Sequence, residues 1–297
     1  MYSEITSNKR RSILLVTIFI AIIIALGWVF DQIYGTAGSY SGIILAIVIS
    51  FGMTTVSYFS GDKIALAVSG ARQITREENK YLYNLVDNLC IATGTPVPKI
   101  YIIEDPAINA FATGRKPELA SIAVTRGAIE KLENEELEGV LAHELSHIKN
   151  YDIRFMMLVA VLVGSISIIS NIMLRSRLYG GRRSNNNSGG NAGGILLIVG
   201  IILAILSPII AEVIKLAISR RREYLADASG ALVTRYPEGL AKALEKIAAE
   251  NQPLQRASQA TAPLYISNPL SGKKISGLFS THPPIEDRIK KLREMGG

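Results

Sequence analysis

The stretch that decides the reading is Glu135-Glu136-Leu137-Glu138-Gly139-Val140-Leu141-Ala142-His143-Glu144-Leu145-Ser146-His147-Ile148-Lys149-Asn150. Its acids gather at the front, where a helix dipole favours them, and the whole run predicts a helix from about Asn134 to about Asn150. At 3.6 residues per turn, His143 and His147 project from one face and Glu144 stands beside them. That is the donor set of a hydrolytic zinc site: the metal takes three protein ligands, lowers the pKa of a water to about 7, and needs a base nearby to accept the proton. Glu144 is the candidate base. The alternative is a surface helix with two incidental histidines, so the third ligand becomes the question.

A longer version of the pattern has Gly and His three and six residues beyond the second histidine, but here Asn150 and Ile153 occupy those positions. The remaining option is a carboxylate from another helix. Glu223, in Arg220-Arg221-Arg222-Glu223-Tyr224-Leu225-Ala226-Asp227, is the best candidate. Asp227 follows one turn later, where it can accept the outer N–H of a metal-bound histidine and so fix the ring's tautomer and orientation. The plainer alternative makes both acids solvated partners of the neighbouring arginines. His282, the last of three histidines, stands in Ser280-Thr281-His282-Pro283-Pro284, ahead of a short helix with Ile285, Ile289 and Leu292 on one face. It is either a cap of that helix or a donor aimed into the cleft.

Outward from the site, the composition points to a membrane. Hydrophobic residues make up 48% of the 297 and charged residues only 19%, too apolar for an ordinary soluble domain. Residues 12–30 and 40–60 are uncharged and long enough to cross a core about 30 Å thick. Lys9, Arg10 and Arg11 precede the first run, Lys63, Arg72 and Arg76 follow the second, and the connection 31–39 holds no Lys or Arg. The positive-inside rule therefore puts both outer flanks in the cytoplasm. Two further apolar runs, 155–174 and 192–211, flank a linker that carries Arg175, Arg177, Arg182 and Arg183. They read as a second spanning hairpin, although arginines are costly on the outside, and a shallow hairpin would keep them inside. The net charge of +7 comes without a basic stripe or a nucleic-acid motif, which leaves the lipid bilayer as partner and excludes nucleic acid. The single cysteine, Cys90, excludes an intrachain disulfide.

These divisions give a two-helix anchor at 1–60, a first catalytic part at 61–152, the second hairpin at 153–214 and a second catalytic part at 215–297. The even number of crossings places both catalytic parts on one side, where they can form one domain. Thr75 and Glu78 have capping-box spacing ahead of a helix that Gly94 would end near Ala92. Residues 97–103 and 119–125 predict strands, joined through a loop that carries Asn109, Ala110 and Phe111.

Taken together, Asn109-Ala110-Phe111-Ala112, the His143–His147 motif followed by apolar segments, the Glu223–Asp227 motif and Thr281-His282-Pro283 resemble the HtpX family of membrane metallopeptidases, distant relatives of the CAAX prenyl endopeptidases. The likeness covers nearly the whole chain. It implies an α+β, mostly helical, zincin-like domain with transmembrane helices, one catalytic Zn2+ held by His143, His147 and Glu223, Glu144 as base and Asp227 behind the ligands. It also implies a transition-state contact from His282 and, for Asn109, a place near an edge strand that aligns the substrate; read on its own, Asn109 is equally a turn residue. The implied role is quality control in a prokaryotic-type plasma membrane, cutting damaged or misfolded membrane and cytosolic polypeptides from the cytoplasmic side. Two rivals stand beside it. A prenyl-protein endopeptidase would carry more spans, and a non-catalytic scaffold with a structural zinc would need a fourth protein ligand and no base.

Overall fold

The computed structural model describes residues 2–34, 40–162, 220–250, 252–257, 261–270 and 283–296. The first apolar run lies inside α1 (Tyr2–Tyr34). The second lies in α2 (Ser41–Val68), a helix long and apolar enough to cross a membrane, which continues past residue 60. The turn between them is tied by Asp31, whose carboxylate accepts the Gly42 and Ile43 amides at 2.8 and 3.0 Å and so satisfies two otherwise orphaned donors at the start of α2. Of the second hairpin, residues 152–162 are helical and the rest lies outside the described residues, as does His282.

A four-stranded sheet follows, β1 (Ala71–Gln73), β2 (Lys99–Ile103), β3 (Ala110–Thr113) and β4 (Ser121–Thr125), in the order β1-β2-β4-β3. The pairing of β2 with β4 is parallel, and the two outer strands pair antiparallel, with Ala112 opposite Ile122 in β3 and β4. β3 stands where the sequence predicts only a loop. Its four residues are all buried, so they show no polar–apolar alternation, and two of them are alanines with little strand preference. Tyr265 and Ile266 lie along its outer side, where the Ile266 amide donates to Ala110 O at 3.0 Å.

The helices are α3 (Lys80–Thr93), α4 (Arg126–Lys131), α5 (Asn134–Lys149), α6 (Arg220–Thr234), α7 (Pro237–Glu250) and α8 (Ile285–Met295). Helix α3 is capped by Asn79, whose side chain accepts the Leu82 amide at 2.9 Å. Glu78 makes only its half of the expected box, to Thr75 N, because residues 76–78 form a turn and the helix starts only after Asn79. At its far end Gly94 adopts φ +67°, the left-handed conformation that closes a helix without a Cβ penalty. Helix α5 has a true capping box, Glu133 with Glu136.

α5 is the axis of the fold, buried almost continuously from Glu136 to Ile148 beneath the sheet. One hydrophobic cluster draws on Leu82, Ile122, Leu141 and Ile148 from the earlier part of the chain and on Ala231, Leu244 and Leu292 from the later part. Helix α6 crosses α5 at Gly230, where a Cβ would stand 3.0 Å from the His143 amide nitrogen. This close approach brings the carboxylates earlier on α6 down to the two histidines.

Candidate metal centre

Three side chains converge at this crossing. His143 Nε2 and His147 Nε2 are 3.1 Å apart, and the Glu223 carboxylate lies 3.7 Å from His147 Nε2 and 3.9 Å from His143 Nε2. All three are buried. The outer nitrogens are taken: His143 Nδ1 faces Asp227 Oδ1 at 2.9 Å, and His147 Nδ1 faces Asp152 Oδ2 at 3.1 Å. A carboxylate only accepts, so the hydrogen-bond network assigns the ring proton to Nδ1 in both neutral imidazoles. Both Nε2 lone pairs then point at each other and at a carboxylate, an arrangement that repels itself unless a cation sits between them. Tetrahedral ligands about 2.0–2.1 Å from one zinc ion lie roughly 3.4 Å from each other, close to the observed separations. The donor set fits the metal.

Electrostatics agree. Among the described residues, the buried acids Glu144, Glu223, Asp227 and Asp152 outnumber the buried guanidinium groups beside them, Arg222 and Arg288, which favours a divalent ion between them. Burial pushes the His143 imidazole down to about 4, so it is a neutral donor. For His147 burial acts in the same direction, but the hydrogen bond to Asp152 and the charge of Glu223 outweigh it and raise the ring to about 9. Glu144 is pushed up to about 7 by burial, well placed to take and return a proton near neutral pH. Its Oε1 is buried with no hydrogen-bond partner among the described residues, an acceptor waiting for water or substrate.

A family model described as peptidase family M48 matches residues 76–296. The chain belongs to peptidase family M48. It is 49% identical over 299 residues to "Protease HtpX homolog" of Dictyoglomus turgidum, covering 99% of this chain and 95% of that one. It is 44% identical over 296 residues to "Protease HtpX homolog" of Tropheryma whipplei strain Twist, covering 100% and 99%. A solved structure, Ste24p of S. mikatae, is 18% identical with a TM-score of 0.49 over 98% of this chain and 67% of that one. The chain is therefore a metalloprotease of the HtpX group of this family.

Within the M48 match, two residues that the sequence does not single out shape the site. Arg288 of α8 is 1% exposed and grips both oxygens of Asp227, Nε to Oδ2 at 2.8 Å and Nη2 to Oδ1 at 2.6 Å, while Nη1 donates to Ile266 O at 2.9 Å. Its Nη2 also lies 3.5 Å from His143 Nδ1, too far to displace the shorter bond to Asp227. The signal was available: Arg288 stands three residues after Ile285 and four before Leu292, on the face that α8 buries. Asp152 carried no comparable signal. It reaches His147 because Tyr151, at φ +61°, reverses the chain immediately after α5. Asn109 is 4% exposed; its Oδ1 accepts the Ala110 amide at 3.0 Å and its Nδ2 donates to Ser267 O at 3.2 Å. It also lines a cavity of about 370 Å³ together with Ile266, Ser267, Pro283 and Arg288.

Proposed function

We propose that this chain is a multi-pass membrane zinc endopeptidase that cuts misfolded or damaged membrane and cytosolic polypeptides, with its catalytic domain in the cytoplasm. One observation carries the proposal: two imidazoles and the Glu223 carboxylate converge beside Glu144, whose Oε1 no other group claims among the described residues. His143, His147 and Glu223 hold the zinc, which when bound supplies Lewis-acid polarisation of water and of the scissile carbonyl. Asp227 and Asp152 hold the two rings in register. Glu144 Oε1 takes a proton from the attacking water and returns it to the leaving nitrogen. The Ala112 backbone of β3 favours the charged form of that carboxylate, against the effect of burial. An extended substrate adds along β3 beyond Phe111, since Ala110 and Phe111 are already paired with Ile266 and Tyr265. Asn109 serves this step by fixing the start of the strand.

His282 completes the reading as a donor to the developing oxyanion, supported by the motif resemblance and by Pro283 lining the same cavity as Arg288. His282→Ala should lower kcat by about two orders of magnitude with bound zinc and melting temperature kept. Full activity with a lowered melting temperature would return it to a capping role. The two N-terminal spans and the 155–174/192–211 hairpin divide the chain as 1–60, 61–152, 153–214 and 215–297. Basic flanks at Lys9, Arg10, Arg11 and Lys63 support the cytoplasmic placement.

A structural zinc would need a fourth protein ligand, and among the described residues the group that could hold a metal contains three. The deciding experiment incubates purified full-length protein with an unfolded membrane protein, with chelator, with zinc restored, and with Glu144→Gln. Cleavage should need zinc, and the variant should keep its metal while kcat falls about a thousandfold or more. A zinc-loaded Glu144→Gln variant that cleaves at the wild-type rate removes the base assignment.

A further inference from the structure

We propose that Asn8, in the N-terminal membrane-anchor helix, is a positioning residue of the metal centre that acts through Asp152 on His147. Asn8 belongs to the flank Asn8-Lys9-Arg10-Arg11 ahead of the first apolar run, and lies outside the region matched to the peptidase family. A residue in such a flank should be solvated, yet Asn8 is 1% exposed. Its Nδ2 donates to Asn150 O at 3.0 Å and to Asp152 Oδ1 at 2.6 Å, and its Oδ1 lies 3.5 Å from Arg222 Nη1. The other oxygen of Asp152 accepts from His147 Nδ1 at 3.1 Å. A continuous buried path of amide, carboxylate and imidazole thus runs from the anchor to a metal-facing nitrogen.

The chemistry of each link gives the path its purpose. A carboxylate held by one oxygen can swing about its Cβ–Cγ bond; with Oδ1 held by Asn8, Oδ2 stays in line with the ring. Among the described residues, the nearest guanidinium nitrogen, Arg222 Nη1, is 3.8 Å from Asp152 Oδ1, too long to hold that oxygen alone. A neutral amide also leaves the charge of Asp152 undiminished, which raises the basicity of His147 as a ligand. Independent contacts bring α1 to this place: Leu15 packs with Phe155, Leu158 and Val159, and Lys9 lies over the Tyr151 ring at 4.6 Å. The anchor therefore supplies part of the metal centre as well as attachment to the bilayer.

The inference rests on the zinc reading above, and its test separates the two. Zinc affinity is measured by chelator competition on full-length protein in detergent for wild type, Asn8→Ala, Asp152→Ala, the double variant and Leu15→Ala. Asp152→Ala should weaken binding by about 10–100-fold and Asn8→Ala by up to about tenfold. In the Asp152→Ala background, Asn8→Ala should add nothing, because its effect travels through that carboxylate. Leu15→Ala, which only loosens helix packing, should lower the melting temperature and leave affinity unchanged. With cobalt(II) in place of zinc, the Asn8→Ala and Asp152→Ala spectra should shift alike. Asn8→Asp has the same size but no amide donor, so it keeps the packing of α1 and should lose affinity at least as far as Asn8→Ala; it decides the matter should the alanine variant not fold. Wild-type affinity in the Asn8 variants, or losses that add in the double variant, would overturn the proposal. Failure of the wild type itself to retain zinc would instead overturn the metal reading on which it stands.

Discussion

His143 and His147 lie one turn apart on α5 and aim the same ring nitrogen at the same point, yet the groups behind them come from opposite ends of the chain. Behind His143 stand Asp227 on α6 and Arg288 on α8. Behind His147 stand Asp152, in the turn that ends α5, and then Asn8 from α1. The two carboxylates also differ in charge state as their histidines see it. Asp227 is neutralised at contact by the forked grip of Arg288, which holds its carboxyl at about 2 against the opposing effect of burial, and His143 stays neutral. Asp152 is held by an amide, with a guanidinium only at 3.8 Å, and His147 feels its full charge. Helical spacing creates a candidate ligand pair locally, but orienting that pair takes four stretches of the chain: α1, the turn after α5, α6 and α8.

The strongest way to break this comparison is to remove the Glu223 carboxylate, which both histidines face. Glu223→Ala should lose both metal and activity, by more than the 10–100-fold expected when only an outer partner of a ligand is removed. Equal zinc stoichiometry and affinity in wild type and variant, measured by metal analysis and competition, would send the search to another carboxylate. Next in size is Arg288→Ala, which removes the grip on Asp227 behind His143 and a guanidinium 3.9 Å from Glu223. It strands the Asp227 charge in a buried site, and breaking one half of a buried pair costs about 3–5 kcal/mol. Removing Asp227 as well should recover part of that stability, because the carboxylate that Arg288 gripped goes with it, while zinc affinity stays low. If denaturant unfolding finds the double variant no more stable than Arg288→Ala, the pair is not the unit that holds α8 to α6.

The same division explains what could be read from the sequence. His143, Glu144 and His147 stand out as candidates because a helix converts spacing four into a shared face, and Glu223 and Asp227 stand out in the same way on a second helix, which the structure brings to the two histidines. β3 does not, because a short strand buried on both faces and rich in alanine carries neither alternation nor β-branched residues. Asp152 was hidden by a single backbone torsion at Tyr151, and Asn8 by a contact between residues 144 positions apart. Asn79 took the cap of α3 from the Thr75/Glu78 pair because an Asx side chain next to the first turn reaches its amide directly. Local periodicity reveals candidate ligands; it cannot reveal partners fixed by a turn or by distant packing.

The smallest expected effect tests that turn. At φ +61° a tyrosine holds a left-handed conformation that costs an L residue roughly 1–2 kcal/mol relative to its preferred regions, and a glycine almost nothing. Against this, the Tyr151 ring lies under Lys9 at 4.6 Å and Arg154 at 5.2 Å, contacts worth about 0.5–1 kcal/mol each at a partly exposed site. Tyr151→Gly removes the strain and the ring contacts together, and glycine's extra freedom in the unfolded chain offsets part of the relief. The net change in unfolding free energy should therefore stay within about 1 kcal/mol. Tyr151→Ala loses the ring contacts and keeps the strain, so it should be the less stable of the two. The order of the two variants is the decisive reading, and chemical denaturation in one detergent gives it. An alanine variant as stable as the glycine variant would mean that the backbone at 151 carries no constraint, and that Asp152 is placed behind His147 by Asn8 and Arg222 alone.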